Sequence, residues 1–109
     1  MLILAREEVV AALLGLMVEV SGFQPKFPGD DESAEDAITD KQPYAVLIDC
    51  DHPEFSDDVI ELIRRSGARP ILFSPLRNQP EVTRLAARHE TQAFTLPTEP
   101  EVFAGILNG

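Results

Sequence analysis

A run of strand-forming residues, Tyr44, Ala45, Val46, Leu47 and Ile48, ends abruptly in Asp49, Cys50, Asp51, His52 and Pro53. No other stretch constrains this chain as much. A run of strand-forming residues that does not alternate with polar ones must be covered on both faces, as parallel strands are. The polar burst marks the carboxyl end of that strand. In open α/β sheets, ligands and chemistry gather at that edge. Asp49 is therefore the first candidate functional residue.

The rest of the chain supplies strands and helices in alternation. Leu2, Ile3 and Leu4 read as a first strand. Glu7 and Glu8 suit the first turn of a helix, where the dipole favours acids. That helix carries Val9, Leu13, Leu16, Met17 and Val20 as the stripe expected to pack on the sheet, widened by Val10, Leu14 and Val18. Ser21 and Gly22 stop it. Phe23, Gln24, Pro25, Lys26 and Phe27 alternate with period two and read as a second strand. Pro25 confines it to a sheet edge, because proline donates nothing to a ladder. Residues 33–40 read as a short acidic helix with Ala34, Ala37 and Ile38 facing in, its acids a solvated face.

Beyond the central strand, Ser56 suits the N-cap of a helix over 57–66, with Val59, Leu62 and Ile63 inward. Gly67 ends it. A fourth strand follows from Pro70 to Ser74, then a helix opened by Pro80, with Val82, Leu85 and Ala86 inward. A fifth strand covers Ala93, Phe94, Thr95 and Leu96 and stops at Pro97. Thr98 would cap a last helix over Pro100, Val102, Phe103, Ile106 and Leu107. Five strands alternating with five helices give a parallel sheet covered on both faces. Right-handed crossovers then favour a doubly wound, flavodoxin-like sheet in the order 2-1-3-4-5, with the proline-bearing strand at its edge. The 109 residues make one domain, 1–109.

Charge narrows the partners. A net charge of −10 argues against nucleic acid and against anionic membranes. The longest apolar run, from Val9 to Val18, is too short to span a bilayer. A signal peptide's basic start and cleavage site are missing, so a cytoplasmic location is expected. One cysteine allows no internal disulfide.

In order and spacing, these landmarks resemble the receiver domain of two-component response regulators. The resemblance spans the chain. It rests on Leu47-Ile48-Asp49 with Pro53 four residues on, Ser74 ending the fourth strand, Pro97 ending the fifth, and Gly22 ending the first helix. It implies that Asp49 stands at the phosphoacceptor position and Ser74 at the switch hydroxyl. The family's chemistry needs more. An aspartate attacking an anionic phosphoryl donor requires charge neutralisation, and Mg²⁺ takes a shell of hard oxygens. Where the family has its acid pair, this chain has Ala5 and Arg6. Where it has a lysine before the proline, this chain has Leu96. Where it often has a rotating aromatic, this chain has Ala93, with Phe94 beside it.

The resemblance thus implies a degenerate, or pseudo-, receiver. It would be a non-enzymatic signalling module that binds a protein (an output protein or a histidine kinase), with no metal and no cofactor. Pairing with a second copy is also open. The docking face implied is that of the fourth helix, fifth strand and last helix. The alternative is a receiver still phosphorylated on Asp49, in which case Mg²⁺ is required. Two placements of Arg6 stay open: a guanidinium paired with Asp49 that freezes the site, or a side chain in solvent near Glu7 and Glu8. Asp51 and Glu7 add carboxylates near the same edge. Cys50 reads as a small packed residue, and His52 and His89 fall on separate elements.

Overall fold

Leu2–Leu4 (β1) and Ala45–Asp49 (β2) pair in parallel, with Leu2 opposite Val46 and Leu4 opposite Ile48. In this computed structural model, residues 1–75, 79–96 and 98–109 are described. On its other side β2 pairs with Arg69–Ser74 (β3), which in turn pairs with Gln92–Thr95 (β4). All these pairings are parallel, and the order is β1-β2-β3-β4. Every residue of β2 is buried. That is why its sequence runs apolar without alternation.

The helices lie on both faces. Glu8–Val20 (α1) and Pro100–Asn108 (α5) cover one. Between them and the sheet sit Leu14, Val18, Leu47, Phe73, Phe94, Phe103 and Leu107. Ala34–Lys41 (α2), Asp57–Arg65 (α3) and Gln79–His89 (α4) cover the other, around Ile38, Ile48, Ile60, Ile63, Leu72 and Leu85. The architecture is the doubly wound α/β arrangement of the flavodoxin-like class. Among the described residues, no helix is long and apolar enough to cross a membrane.

The expected second strand is absent as a strand, so the five-stranded order 2-1-3-4-5 becomes four strands with one added bridge. Lys26 bridges Leu2 in parallel. The Lys26 N–H donates to the Met1 carbonyl at 2.7 Å, and the Ile3 N–H donates to the Lys26 carbonyl at 2.9 Å. Behind this bridge the Met1 ammonium donates to the Gln24 carbonyl at 2.7 Å. Ahead of it, two residues beyond Lys26 and on the same side of the segment, stands Pro28, which has no N–H to carry the ladder on. The segment keeps its place beside β1 but not its strand.

The face of α1 also differs from expectation. Leu14, Gly15 and Val18 are the residues it buries, while Val9, Leu13, Leu16 and Val20 are exposed. The helix is apolar nearly all round, so spacing alone does not say which stripe meets the sheet. Gly15 marks the close approach: a Cβ there would come within 2.8 Å of the Phe27 ring. At α5 the N-cap position is Glu99, with no side-chain bond, rather than Thr98, and Val102 is exposed. Ser56 caps α3 as its sequence implies, its Oγ accepting from the Val59 N–H at 3.1 Å. Pro97 and Arg77 lie outside the described residues.

Two arginines close the lower end. The Arg64 guanidinium donates to the His89 and Glu90 carbonyls at the end of α4. Arg69 donates to Gln92 Oε1 at 2.5 Å and to the Ile106 and Leu107 carbonyls at 2.8 and 2.6 Å, while lying over the Tyr44 ring. A cation there satisfies orphan carbonyls and opposes the helix dipole. Replacing Arg69 by Met is expected to destabilise the fold by about 1–3 kcal/mol. A urea midpoint unchanged from the parent would refute this capping role.

Candidate functional site

The carboxyl ends of β2 and β3 bring Asp49 and Ser74 to one edge. Asp49 pairs in register with Phe73, and Ser74 follows it. Both are buried, at 1% exposure each. A carboxylate so buried needs hydrogen-bond donors. Asp49 finds them in the main chain. Its Oδ2 accepts from the Arg6 N–H at 3.2 Å, and its Oδ1 from the Asp51 N–H at 2.8 Å. The His52 N–H donates to the Asp49 carbonyl at 3.0 Å, and the Cys50 N–H to the Phe73 carbonyl at 3.0 Å. A cleft of about 250 Å³ opens beside the carboxylate, lined by Arg6, Glu7, Val10, Asp49, Asp51 and Pro75.

Arg6 is therefore tied to Asp49, but by its backbone and not by its guanidinium. Its side chain is exposed. Among the described residues the ion pairs are Lys41–Glu32, Arg84–Glu81, Arg88–Asp57 and His89–Asp57. The frozen guanidinium–carboxylate pair is not formed, and Glu7 and Glu8 do not hold the side chain either. Sequence reasoning looked to side-chain charge and overlooked the two amides. One of them had a signal. An aspartate at a strand end, followed by a tight turn, commonly accepts from the N–H two residues on.

The remaining positions are filled by packing. Ala5 sits against the core under α1 and α5. Leu96, at 7% exposure, belongs to that same core beside Phe94 and Phe103, and its N–H donates to the Ser74 carbonyl at 3.1 Å. Phe94 is stacked on Phe73 at 5.6 Å between centroids and meets Phe103 edge-on at 5.2 Å. Ala93 packs against the opposite core and helps line a cleft of about 220 Å³ with Val82, Thr83, Ala86, Phe94 and Thr95.

Cys50 is half-buried next to two carboxylates. Burial, followed by the charges of Asp49, Asp51 and Glu81, pushes its thiol up to about 11. A protonated thiol is a poor nucleophile.

No protein-family model matches this sequence. No curated protein matches it. Solved structures do. A DNA-binding response regulator of the LuxR family from Staphylococcus aureus aligns over 98% of this chain and 93% of its own, with a TM-score of 0.75 and 17% identity. The signal receiver domain of a modulated diguanylate cyclase from Desulfovibrio desulfuricans G20 aligns over 98% and 88%, with a TM-score of 0.77 and 18% identity. A BeF3-activated DrrB receiver domain aligns over 98% and 92%, with a TM-score of 0.71 and 15% identity. The fold is that of response regulator receiver domains.

That fold implies Mg²⁺ beside the phosphoacceptor aspartate, and the residues here do not fit it. A Mg²⁺ shell draws on carboxylate oxygens. Ala5 and Arg6 bring no carboxylate to stand beside Asp49. Among the described residues, no group of three or more His, Cys, Asp or Glu side chains could hold a metal ion.

Two outcomes are expected. Asp49→Ala leaves the amides of Arg6 and Asp51 without their charged acceptor and should destabilise the fold by about 1–3 kcal/mol. Asp49→Asn keeps an acceptor and should lose less, as read by urea unfolding of the two variants. Second, iodoacetamide should label Cys50 slowly at neutral pH and faster as pH rises towards 11. Rapid labelling at pH 7, followed by mass spectrometry, would contradict the raised thiol.

Proposed function

We propose that this chain is a pseudo-receiver: a signalling module that works by binding another protein, without Mg²⁺-dependent phosphorylation and without enzymatic activity. The observation that carries the reading is the state of the Asp49 carboxylate. Both of its oxygens are engaged by main-chain amides, in a site whose acid-pair positions are Ala5 and Arg6. The lysine position supports it, because Leu96 is spent on the hydrophobic core. The switch-aromatic position is Ala93, and the neighbouring Phe94 is held between two other rings. The parts that would sense and transmit a phosphoryl group are replaced by parts that pack.

The partner reading rests on the fold and on the surface of α4, β4 and α5. The cleft beside Ala93 lies between α4 and β4, and it gives that face a recess an incoming side chain can enter. A signalling or output protein is the partner class, a histidine kinase included.

A second reading keeps Asp49 as a phosphoacceptor. Asp49 and Ser74 both stand at the sheet edge, and the cleft of about 250 Å³ borders the carboxylate. An amide NMR spectrum recorded without and with Mg²⁺ and beryllofluoride, the activator of the DrrB domain above, separates the two. The pseudo-receiver reading expects no change at Arg6, Asp49, Ser74 or β4. Saturable shifts that start at Asp49 and reach β4 would overturn it in favour of the phosphoacceptor.

A further inference from the structure

The outer face of α1 is an apolar seam left exposed by the described residues. Val9 is 80% exposed, Leu13 47%, Leu16 64% and Val20 84%. They recur at steps of four, three and four residues. That is the spacing of a helix-to-helix seam, in which each apolar knob enters a hole on a facing helix. The stripe that meets the sheet is a different one, Leu14 and Val18. Solvent exposure is a poor use of four aliphatic side chains in a chain of net charge −10.

The seam is also its own mirror along the helix. It reads Val, Leu, Leu, Val in either direction, with the same spacing. A two-fold contact needs a surface that is complementary to itself. With an axis between Leu13 and Leu16, an antiparallel α1 pair sets Val9 against Val20 of the second copy, and Leu13 against Leu16. The seam continues onto α5. A groove of about 220 Å³ lined by Leu16, Met17, Val20, Ser21, Pro100 and Phe103 runs between the two helices, and Val102 beyond it is 53% exposed. In the antiparallel pair, Val9 of the second copy falls at the level of this groove.

We infer that two copies of this chain associate through α1, in an antiparallel pairing centred between Leu13 and Leu16. This inference does not depend on the receiver reading. The area sets its strength. A 13-residue helix is about 20 Å long. Two helices side by side are about 20 Å wide, giving a footprint of roughly 400 Å² per copy against the ~800 Å² of a stable complex. The dimer is weak and reversible. Charge shapes it too. Glu8 and Glu19 flank the same side of the seam, and the antiparallel pairing brings Glu19 of one copy near Glu8 of the other. Like charges at the rim are relieved by screening, so salt strengthens this dimer. A basic partner helix on the same seam would behave in the opposite way.

Sedimentation of the whole chain up to about 1 mM tests this, at about 50 mM and about 500 mM salt. The expected result is a monomer–dimer equilibrium that tightens several-fold at the higher salt. It should be lost in Leu16→Glu and kept in Tyr44→Ser, a change at an exposed ring on another surface. A monomer throughout, a dimer that survives Leu16→Glu, or a dimer that salt weakens would each overturn the inference. Concentration-dependent amide shifts in the unaltered chain give an independent reading: they should map to α1, and a map elsewhere overturns it.

Discussion

A carboxylate buried at the end of a central strand must be given hydrogen bonds, and in this protein the backbone gives them. The Asp49 side chain takes the N–H of Arg6 and the N–H of Asp51. Those two bonds do structural work beyond the carboxylate itself. The first ties the exit of β1 to the exit of β2, just before α1 begins. The second closes the turn after β2, which His52 tightens through the Asp49 carbonyl. The position of α1 and the shape of the cleft beside Asp49 both follow from where these loops are pinned.

This arrangement changes what the site can do. A carboxylate that serves as a metal ligand or nucleophile keeps lone pairs directed at its reaction partner. The Asp49 carboxylate also works as a capping residue does, each oxygen accepting one main-chain amide. The neighbouring positions are packed. Leu96 and Phe94 lie in the core under α5.

Much of this fold was legible because β2 and its neighbours obey simple rules. A fully buried strand is a continuous apolar run, and Ser56 reads as a cap because its hydroxyl has one productive acceptor role there. Two features were not legible, for physical reasons. Pro25 signals an edge, yet it does not say whether enough ladder remains on either side for a strand, and only the Leu2–Lys26 bridge survives. In α1, apolar residues occupy nearly every angle, so periodicity offers two stripes and cannot rank them. The small Gly15 beside the Phe27 ring decides the rank, through a contact between residues far apart in sequence. At the site, residue types pointed to side-chain electrostatics, whereas the contact to Arg6 is made by an amide that any residue but proline would supply.

The two unread features are connected. A helix that is apolar all round is normally buried all round, and α1 is buried on one side only. The edge segment beside it is short: Phe27 reaches Gly15, and the one bridge to β1 is at Lys26. The side of α1 carrying Leu13 and Leu16 is left to solvent, while α3 and α4 place charged residues outward. Glu61, Arg64 and Arg65 on α3, and Arg84 and Arg88 on α4, are all exposed. The contrast is within one molecule, so overall composition does not account for it. A helix that keeps aliphatic side chains outward, while α3 and α4 do not, is shaped by something that packs against it.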